Sequence, residues 1–502
     1  MTNYDLATYP GYPYPQTTPA QVGALAFLHG LNPCPVESAK VLEIGCATGG
    51  NLLGLAARFD KSSFVGVDLS SVQIETARKH AEAMSLRNID FMAQSILDAD
   101  FHGQKFDYII AHGLYSWVDK TLQPQILEAC ASLLEPDGLV FMSYNTLPGW
   151  SSTQIIRNMM MYAGQMIENP EERISKAKAY LQFIQGSIPS DQPHYKALVE
   201  GEINAVMGKE ENFLLHDHME EHNNPCYFHE FETSVRNAGL AYFHDMDYPD
   251  INLSLQDPLV AQKAQAISDR CEKQQYLDFV SNRKFRSSVL TLKDQQFSEE
   301  MILERCQNVQ FILNCKITGD FQHVDTDAIE LIGTKRFNVQ GKLQGQIICA
   351  CLIEMSRALP KRLLRQEIIT AVKKRLSMYD EEQIAAEFDK YILAFLNSGI
   401  LSPTLDHMQL GNLSTTRPKA FDLARYMAKF VDIVPNIHHE VVKLTVLQKI
   451  LLAHLDGQQE KAALAKIVKK ECEEKKISGM DNLERMLDLE LDFFRINGLL
   501  TG

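Results

Sequence analysis

The ten residues Val41-Leu-Glu-Ile-Gly-Cys-Ala-Thr-Gly-Gly50 constrain this chain more than any other stretch. A short apolar run carrying one acid, Glu43, breaks into a glycine-rich turn. It resumes as a helical pattern through Leu52, Leu53, Leu55 and Ala56. Strand, glycine turn and helix begin a nucleotide-binding α/β unit, in which glycine lets the backbone approach a ligand at a helix N-terminus. The spacing is Glu-x-Gly-x-Ala-Thr-Gly, not G-x-G-x-x-G. The acid narrows the ligand. A carboxylate attracts a ligand carrying positive charge, such as a free amino group, and it repels a pyrophosphate.

A second unit supports the first. Ser62-Ser-Phe-Val-Gly-Val-Asp-Leu-Ser70 is a buried strand ending at Asp68. An acid there accepts hydrogen bonds from both ribose hydroxyls of an adenosine. The first stretch resembles motif I of class I S-adenosylmethionine methyltransferases, E/D-x-G-x-G-x-G, with Ala47 in place of the middle glycine.

The chain continues as a helix over 71–86, strands over 88–94 and 106–111, and a helix over 125–134. A Pro136-Asp137-Gly138 turn leads into a strand over 139–144. Such alternation predicts an α/β core with a parallel sheet and helices on both faces, ligands lying beyond the strand carboxyl ends. The residues expected there are Gln94, Ser95 and Ile96 after the third strand and His112 to Trp117 after the fourth.

Residues 151–223 read as helices with little strand signal, an insertion that caps the active site, dimerises, or both. The core pattern returns as a helix over 227–239 and a strand over 240–247, closed by Pro249. The expected domains are a core of 1–150 with 224–256, the insertion 151–223, a middle domain 257–410 and a C-terminal domain 411–502. An internal repeat at an offset of 99 residues spans the last third. Leu352, Ile353, Ile368, Ile392, Phe395, Gly399, Ile400 and Leu401 match Leu451, Leu452, Ile467, Leu491, Phe494, Gly498, Leu499 and Leu500. Two tandem helix-rich, winged-helix-like modules are expected.

Composition bounds the rest. At 502 residues the chain exceeds a single core. No apolar run reaches the ~18 residues of a membrane span. The N-terminus lacks the basic and apolar regions of a signal peptide. Ten cysteines without CxxC pairs suit free thiols in a reducing cytoplasm, with export as an effector left open. A net charge of −15 argues against nucleic-acid binding as the main task. Residues 357–375 hold seven Lys or Arg against one acid, Glu367; a DNA-binding helix and a solvated helix face are the two readings, the second favoured.

Several residues bear on methyl transfer to an amine, which needs a free lone pair in a desolvated, aromatic-lined channel or beside a base. His112, Tyr115 and Trp117 supply a base and an aromatic wall. The [D/N/S]-P-P-[Y/F] and Pro-Cys motifs of nucleic-acid enzymes are missing at this place. The strap Tyr9-Pro-Gly-Tyr-Pro-Tyr-Pro15 is extended and stiff, and brings Tyr12 and Tyr14 over the cleft or packs as a cover. His216, His218 and His222 suggest a metal at first sight, but His216 falls off the shared helix face, so no metal is expected. A substrate wall of His216, Asp217, Tyr227, Phe228 and His229 is the better reading.

Across nearly its full length the chain resembles the bacterial methyltransferases with a methyltransferase regulatory domain, typified by the rickettsial protein lysine methyltransferases. The stretches that carry the likeness are 12–19, 41–51, 112–117, Tyr144-Asn-Thr-Leu-Pro-Gly-Trp150, 216–217 with 225–231, Tyr276-Leu-Asp-Phe-Val-Ser-Asn-Arg-Lys-Phe-Arg286 and 454–457. The resemblance implies a Rossmann-like core, a helical dimerisation insertion, and middle and C-terminal domains. By position, cofactor contacts fall to Glu43, Gly45, Gly49 and Asp68; around the same loop and strand ends Cys46, Ala47, Asn51, Leu69, Gln73, Gln94, Ser95, Ile96 and His112 are the further contacts expected. The resemblance also implies that Tyr12, His112, Tyr115, Tyr144 and Asn145 line the transfer site; Tyr144, His112 and Tyr115 are the expected catalytic residues, and Tyr14 of the strap and Trp117 of the aromatic wall join Tyr12 and Asn145 on the substrate side. S-adenosylmethionine is the implied cofactor and S-adenosylhomocysteine its product. A protein with an accessible lysine is the implied substrate, and the expected assembly is a homodimer that neither binds nucleic acid nor inserts into a membrane. A small-molecule N- or O-methyltransferase, and a non-catalytic cofactor sensor with tandem binding modules, are the alternatives.

Overall fold

The computed structural model describes residues 11–209, 211–247, 256–318, 327–333, 340–407, 410–411, 416–475 and 483–502. Tyr9, Pro10 and Pro249 lie outside them.

The first helix, α1 (Pro19–Leu28), starts where Thr18 accepts a hydrogen bond from Gln21 N and Pro19 presets the first turn. Nine of its ten residues are buried. That all-round burial has a cause: α1 lies between two cores, with Ala20, Val22 and Leu25 in one and Ala24 and Leu28 in the other.

The core then alternates as expected: β1 (Lys40–Ile44), α2 (Gly50–Arg58), β2 (Ser63–Asp68), α3 (Ser71–Ala83), β3 (Ile89–Ala93), β4 (Phe106–Ala111), α4 (Gln123–Leu133) and β5 (Leu134–Asn145). The helical insertion follows as α5 (Trp150–Gly164), α6 (Pro170–Ser187), α7 (Pro193–Met207) and α8 (Glu211–His218). It has its own small core of Ile156, Met160, Ile174, Leu181, Val199, Ile203, Leu214 and Met219. The chain returns through α9 (Phe228–Asn237) and β6 (Leu240–Asp245), then α10 (Pro258–Gln265), α11 (Arg270–Ser281) and β7 (Phe285–Leu292).

The sheet order is β3-β2-β1-β4-β5-β7-β6. The first five strands are parallel, whereas β7 runs antiparallel between β5 and β6. The sheet is therefore mixed, and the core reaches Leu292 rather than stopping at 256. Charge explains why a strand carrying Arg286 belongs inside. Arg286 is fully buried, paired with Asp245 and Asp278, and its guanidinium lies 4.1 Å from the centre of the Phe228 ring. A buried charge is tolerated only with such partners.

Beyond the core come β8 (Gln310–Leu313), β9 (Cys315–Thr318), β10 (Ala328–Gly333), β11 (Gln340–Gln344), α12 (Gln346–Ala358), β12 (Leu363–Leu364), α13 (Arg365–Arg375), α14 (Glu381–Asn397) and β13 (Leu401–Thr404). The last region holds α15 (Asp422–Met427), β14 (Ile433–Pro435), β15 (Val441–Lys443), α16 (Val446–Ala453), α17 (Lys461–Glu474) and α18 (Leu483–Ile496). The repeat is structural: Phe395 on α14 and Phe494 on α18 are buried, and Gly399 and Gly498 follow with φ of +74° and +64°, the left-handed stop of a helix.

The basic stretch 357–375 is largely used internally. Arg357 and Arg375 pair with Glu354, Lys361 with Glu367, Arg365 with Asp389, and Arg362 with Asp406. One apolar cluster joins Leu52, Leu53, Leu55 and Ala56 of α2 to Leu423, Ala424, Ile437, Leu451 and Phe494 of the C-terminal region. That region is thus docked on the core through a shared apolar interior. Among the described residues no helix is long and apolar enough to cross a membrane. All ten cysteines are free thiols.

Candidate active site

The glycine turn leaves β1 with a left-handed backbone at Gly45, Ala47 and Gly49, φ +76°, +48° and +77°. Gly49 caps α2, and a Cβ there would come within 2.6 Å of the Phe91 ring. At Gly50 a Cβ would lie 1.9 Å from the carbonyl oxygen of Gly11, so the N-terminal strap crosses directly over the turn. Asp68, at the end of β2, accepts hydrogen bonds from Ala47 N and Ser70 N, both at 2.9 Å, which ties the turn to the next strand.

Glu43 is buried beneath the turn. Its Oε1 accepts from Asn51 Nδ2 at 2.8 Å, while Oε2 has no hydrogen-bond partner among the described residues. Burial pushes its carboxyl up to about 8; the Asn51 hydrogen bond opposes that and nearby Asp68 adds to it. An unpartnered buried carboxylate oxygen under a cradle of left-handed residues fits the amino group of S-adenosylmethionine. Leu69, just past Asp68, is 75% exposed, as an apolar side chain that an adenine would cover. Gln94, Ser95 and Ile96 form the turn after β3, with Ser95 Oγ accepting from Leu97 N. Cys46 and Gln73 are buried below the loop.

His112, just past β4, bonds through Nδ1 to Ser143 Oγ at 2.9 Å, and the same oxygen accepts from Gly113 N at 2.8 Å. Burial lowers the His112 pKa to about 4, so the ring is neutral at ordinary pH. The Tyr14 ring is 4.0 Å away between centroids, and Phe285 meets its face edge-on at 6.4 Å. Tyr12 stacks on Phe213 of the insertion at 6.3 Å. The strap therefore bridges the core and the insertion beside the turn.

Other sequence candidates lie elsewhere. Tyr144 and Tyr115 are 1% and 2% exposed. Tyr144 stacks on Phe231 at 4.0 Å, its hydroxyl on Ser288 Oγ, and Tyr115 packs edge-on to both rings. Side chains alternate along β5, so Ser143 meets His112 while Tyr144 enters the opposite core. Asn145 lies at the strand end, with its Nδ2 buried and unpartnered among the described residues. Trp117 packs edge-on against Trp150, which donates to Asn223. Phe228 is core, under Arg286. Tyr227, the N-cap of α9, stacks on His229 in its first turn, with His229 held by Gln275. His216 is buried 3.5 Å from Glu220, and Asp217 lies 3.5 Å from Lys209. Phe213 and His439 sit in no sequence motif that points to this site. Phe285 lies within the family-like stretch 276–286, where no local pattern gives it a role.

The comparisons agree with this fold. Three family models match: a methyltransferase domain over 41–138, a predicted methyltransferase regulatory domain over 210–291, and the PKMT C-terminal winged helix domain over 416–493. The chain is similar to uncharacterized protein RP789 of Rickettsia prowazekii, 32% identical over 93% of this chain and 85% of that one. It is also similar to uncharacterized protein RP028 of the same organism, 40% identical over 46% of this chain and 92% of that one. The solved structure of PKMT2 from Rickettsia typhi in complex with AdoHcy superposes with a TM-score of 0.89 at 28% identity, covering 98% of this chain and all of the other. Fold and site define a class I S-adenosylmethionine-dependent methyltransferase. More narrowly, the chain belongs to the family of such enzymes that carry a methyltransferase regulatory domain and the C-terminal winged helix of the rickettsial protein lysine methyltransferases.

Proposed function

We propose that this methyltransferase acts on lysine side chains of a protein substrate. The observation that carries the reading is the aromatic approach to the glycine turn, formed by Tyr12, Tyr14, His112, Phe213 and Phe285. Phe285, at its mouth, is 40% exposed, which suits a chain that inserts one side chain from outside rather than a sealed small molecule. The likeness to PKMT2 over the whole length supports the same reading.

S-adenosylmethionine, when bound, supplies a methyl group activated on sulfonium and leaves as S-adenosylhomocysteine. Glu43 would hold its amino group and Asp68 its ribose, with Gly45, Ala47, Gly49 and Leu69 shaping the surroundings. Asn145 Nδ2 offers a donor at the end of β5. The buried Ser143 hydroxyl accepts from Gly113 N and pairs with His112 Nδ1; in the tautomer where the hydroxyl donates its own proton to Nδ1, the histidine proton sits on Nε2. His112 then acts as a neutral donor and wall, and the lysine loses its proton to solvent before it enters. The aromatic rings desolvate the amine and favour its neutral form.

The insertion is the proposed dimer contact. Ile156 and Met160 are spent on its own core, but Tyr162 on α5, Met166 in the turn after it and Phe183 on α6 are 63%, 89% and 68% exposed. A cytoplasmic, reducing location suits the free thiols.

The test is methyl transfer from labelled S-adenosylmethionine to a proteome, read by mass spectrometry beside the Asp68→Ala variant. Labelled lysines that vanish in the variant support the reading. Label confined to small molecules overturns it.

A further inference from the structure

We infer that His439, in the C-terminal winged-helix region, is a positioning residue for the amino-acid end of the cofactor, acting through Asn51 on Glu43. The inference rests on assigning the cofactor to Glu43 and Asp68.

Asn51 lies in the first turn of α2 and is 4% exposed. Its Nδ2 donates to Glu43 Oε1 at 2.8 Å and Thr17 Oγ1 at 3.0 Å. Its Oδ1 accepts from Tyr14 N at 3.0 Å and from His439 Nε2 at 2.7 Å. A carbonyl oxygen only accepts, so the His439 proton sits on Nε2. One amide thus joins the β1 acid, the N-terminal strap and a residue 388 positions away. The imidazole holds the amide with its NH2 toward the carboxylate. Turned over, the amide would set its oxygen against Glu43.

The donor is itself fixed. His439 occupies the turn between β14 and β15 with φ +64° and is 2% exposed. That turn is pinned by Asn436, whose Oδ1 accepts from His438 N and Glu440 N, each at 2.8 Å, and whose Nδ2 donates to Asn497 O at 3.0 Å. Gly54 of α2 lies against the ring, where a Cβ would make ordinary contact 3.5 Å from His439 Nδ1. A rigid outer contact that orients an inner carboxylate is how binding groups are held in place. The winged-helix region therefore forms part of the cofactor site.

The test compares two ligands on the full chain by calorimetry. S-adenosylhomocysteine has the amino-acid end, and 5′-methylthioadenosine has only the nucleoside. His439→Leu removes the donor while keeping bulk, and His439→Gln keeps an N–H at similar reach; both bear the same backbone conformation. We expect His439→Leu to weaken S-adenosylhomocysteine about five- to tenfold, 5′-methylthioadenosine less than about twofold, and His439→Gln to recover most of the loss. Equal loss for both ligands, no loss for either, or no recovery with glutamine overturns the inference. If the leucine variant does not fold, Asn51→Ala carries the same expected split between ligands, and equal effects on the two ligands there overturn the inference as well. Glu43→Gln and Asp68→Ala separate the two levels. If neither weakens S-adenosylhomocysteine, the cofactor assignment itself fails; if they do and His439→Leu does not, only the role of His439 falls.

Discussion

Arg58, the last residue of α2, donates to Asp406 at 2.6 Å, and both side chains are more than nine-tenths buried. Arg362 approaches the same carboxylate at 3.9 Å. The helix that begins at the cofactor turn is thus gripped at its far end by the segment after β13. Asp406→Ala would leave two guanidinium groups without their buried partner, which typically costs about 3–5 kcal/mol. Urea denaturation should show that loss, and a change below about 1 kcal/mol would mean water already screens the pair.

Glu43 gives a proton-linked prediction. Its carboxyl is held up to about 8, so at pH 7 the ligand-free fold keeps a proton that the unfolded chain has released. Its contribution to stability therefore falls as pH rises from the ordinary glutamate range toward 8. A cationic ligand needs the carboxylate, so binding at pH 7 drives the proton off. The calorimetric enthalpy of S-adenosylmethionine binding should vary with the buffer's ionisation enthalpy by about one more proton released in wild type than in Glu43→Gln. Equal buffer dependence in the two proteins would contradict it.

Tyr144 and His112 should separate cleanly. Tyr144→Phe removes one hydroxyl facing Ser288 in a packed core, so about 1 kcal/mol of stability is expected to go while turnover per folded molecule stays within about threefold. His112→Ala opens the wall of the cleft and removes its donor, and roughly a 10²-fold loss of turnover is expected. Single-turnover rates at saturating cofactor decide, and the opposite ranking would restore Tyr144 to the chemistry.

The pH profile carries its own forecast. His112 is neutral above about 4, so no histidine step should shape turnover between pH 6 and 9. Turnover on a lysine peptide should climb about tenfold per pH unit as the free amine grows, with the same slope in His112→Asn. A bell-shaped profile with a limb near 6.5 in wild type alone would assign His112 as a base.

The insertion face predicts assembly. If the proposed dimer forms through this face, light scattering at micromolar concentration should show dimers for wild type and monomers for Met166→Glu with Phe183→Glu, which puts two charges on the exposed apolar patch. Identical masses would place the dimer contact elsewhere, or remove it.

What the sequence determined by itself is what is local. The turn from Glu43 to Gly49, the acid at Asp68, the alternation of strands and helices and the 99-residue repeat rest on contacts between near neighbours or on a repeated pattern. Each is written in residue types at short spacing: glycine at Gly45 and Gly49, where φ is positive, a polar cap where a helix starts, apolar residues at the period of the element.

Tertiary structure decided the rest. Alternation along β5 puts Ser143 and Tyr144 on opposite faces, but only the strand order says which face borders the cleft. Sequence likeness had placed Tyr144 there, and packing placed it against Phe231. Strand β7 joined the core because its Arg286 meets Asp245 and Asp278, a pairing across turns and helices that no local pattern records. His439 meets Asn51 only because a shared apolar interior docks the C-terminal region onto α2. Hydrogen bonds act over about 3 Å, whatever the separation along the chain. The sequence supplied these groups, and the packing of one core against another chose their partners.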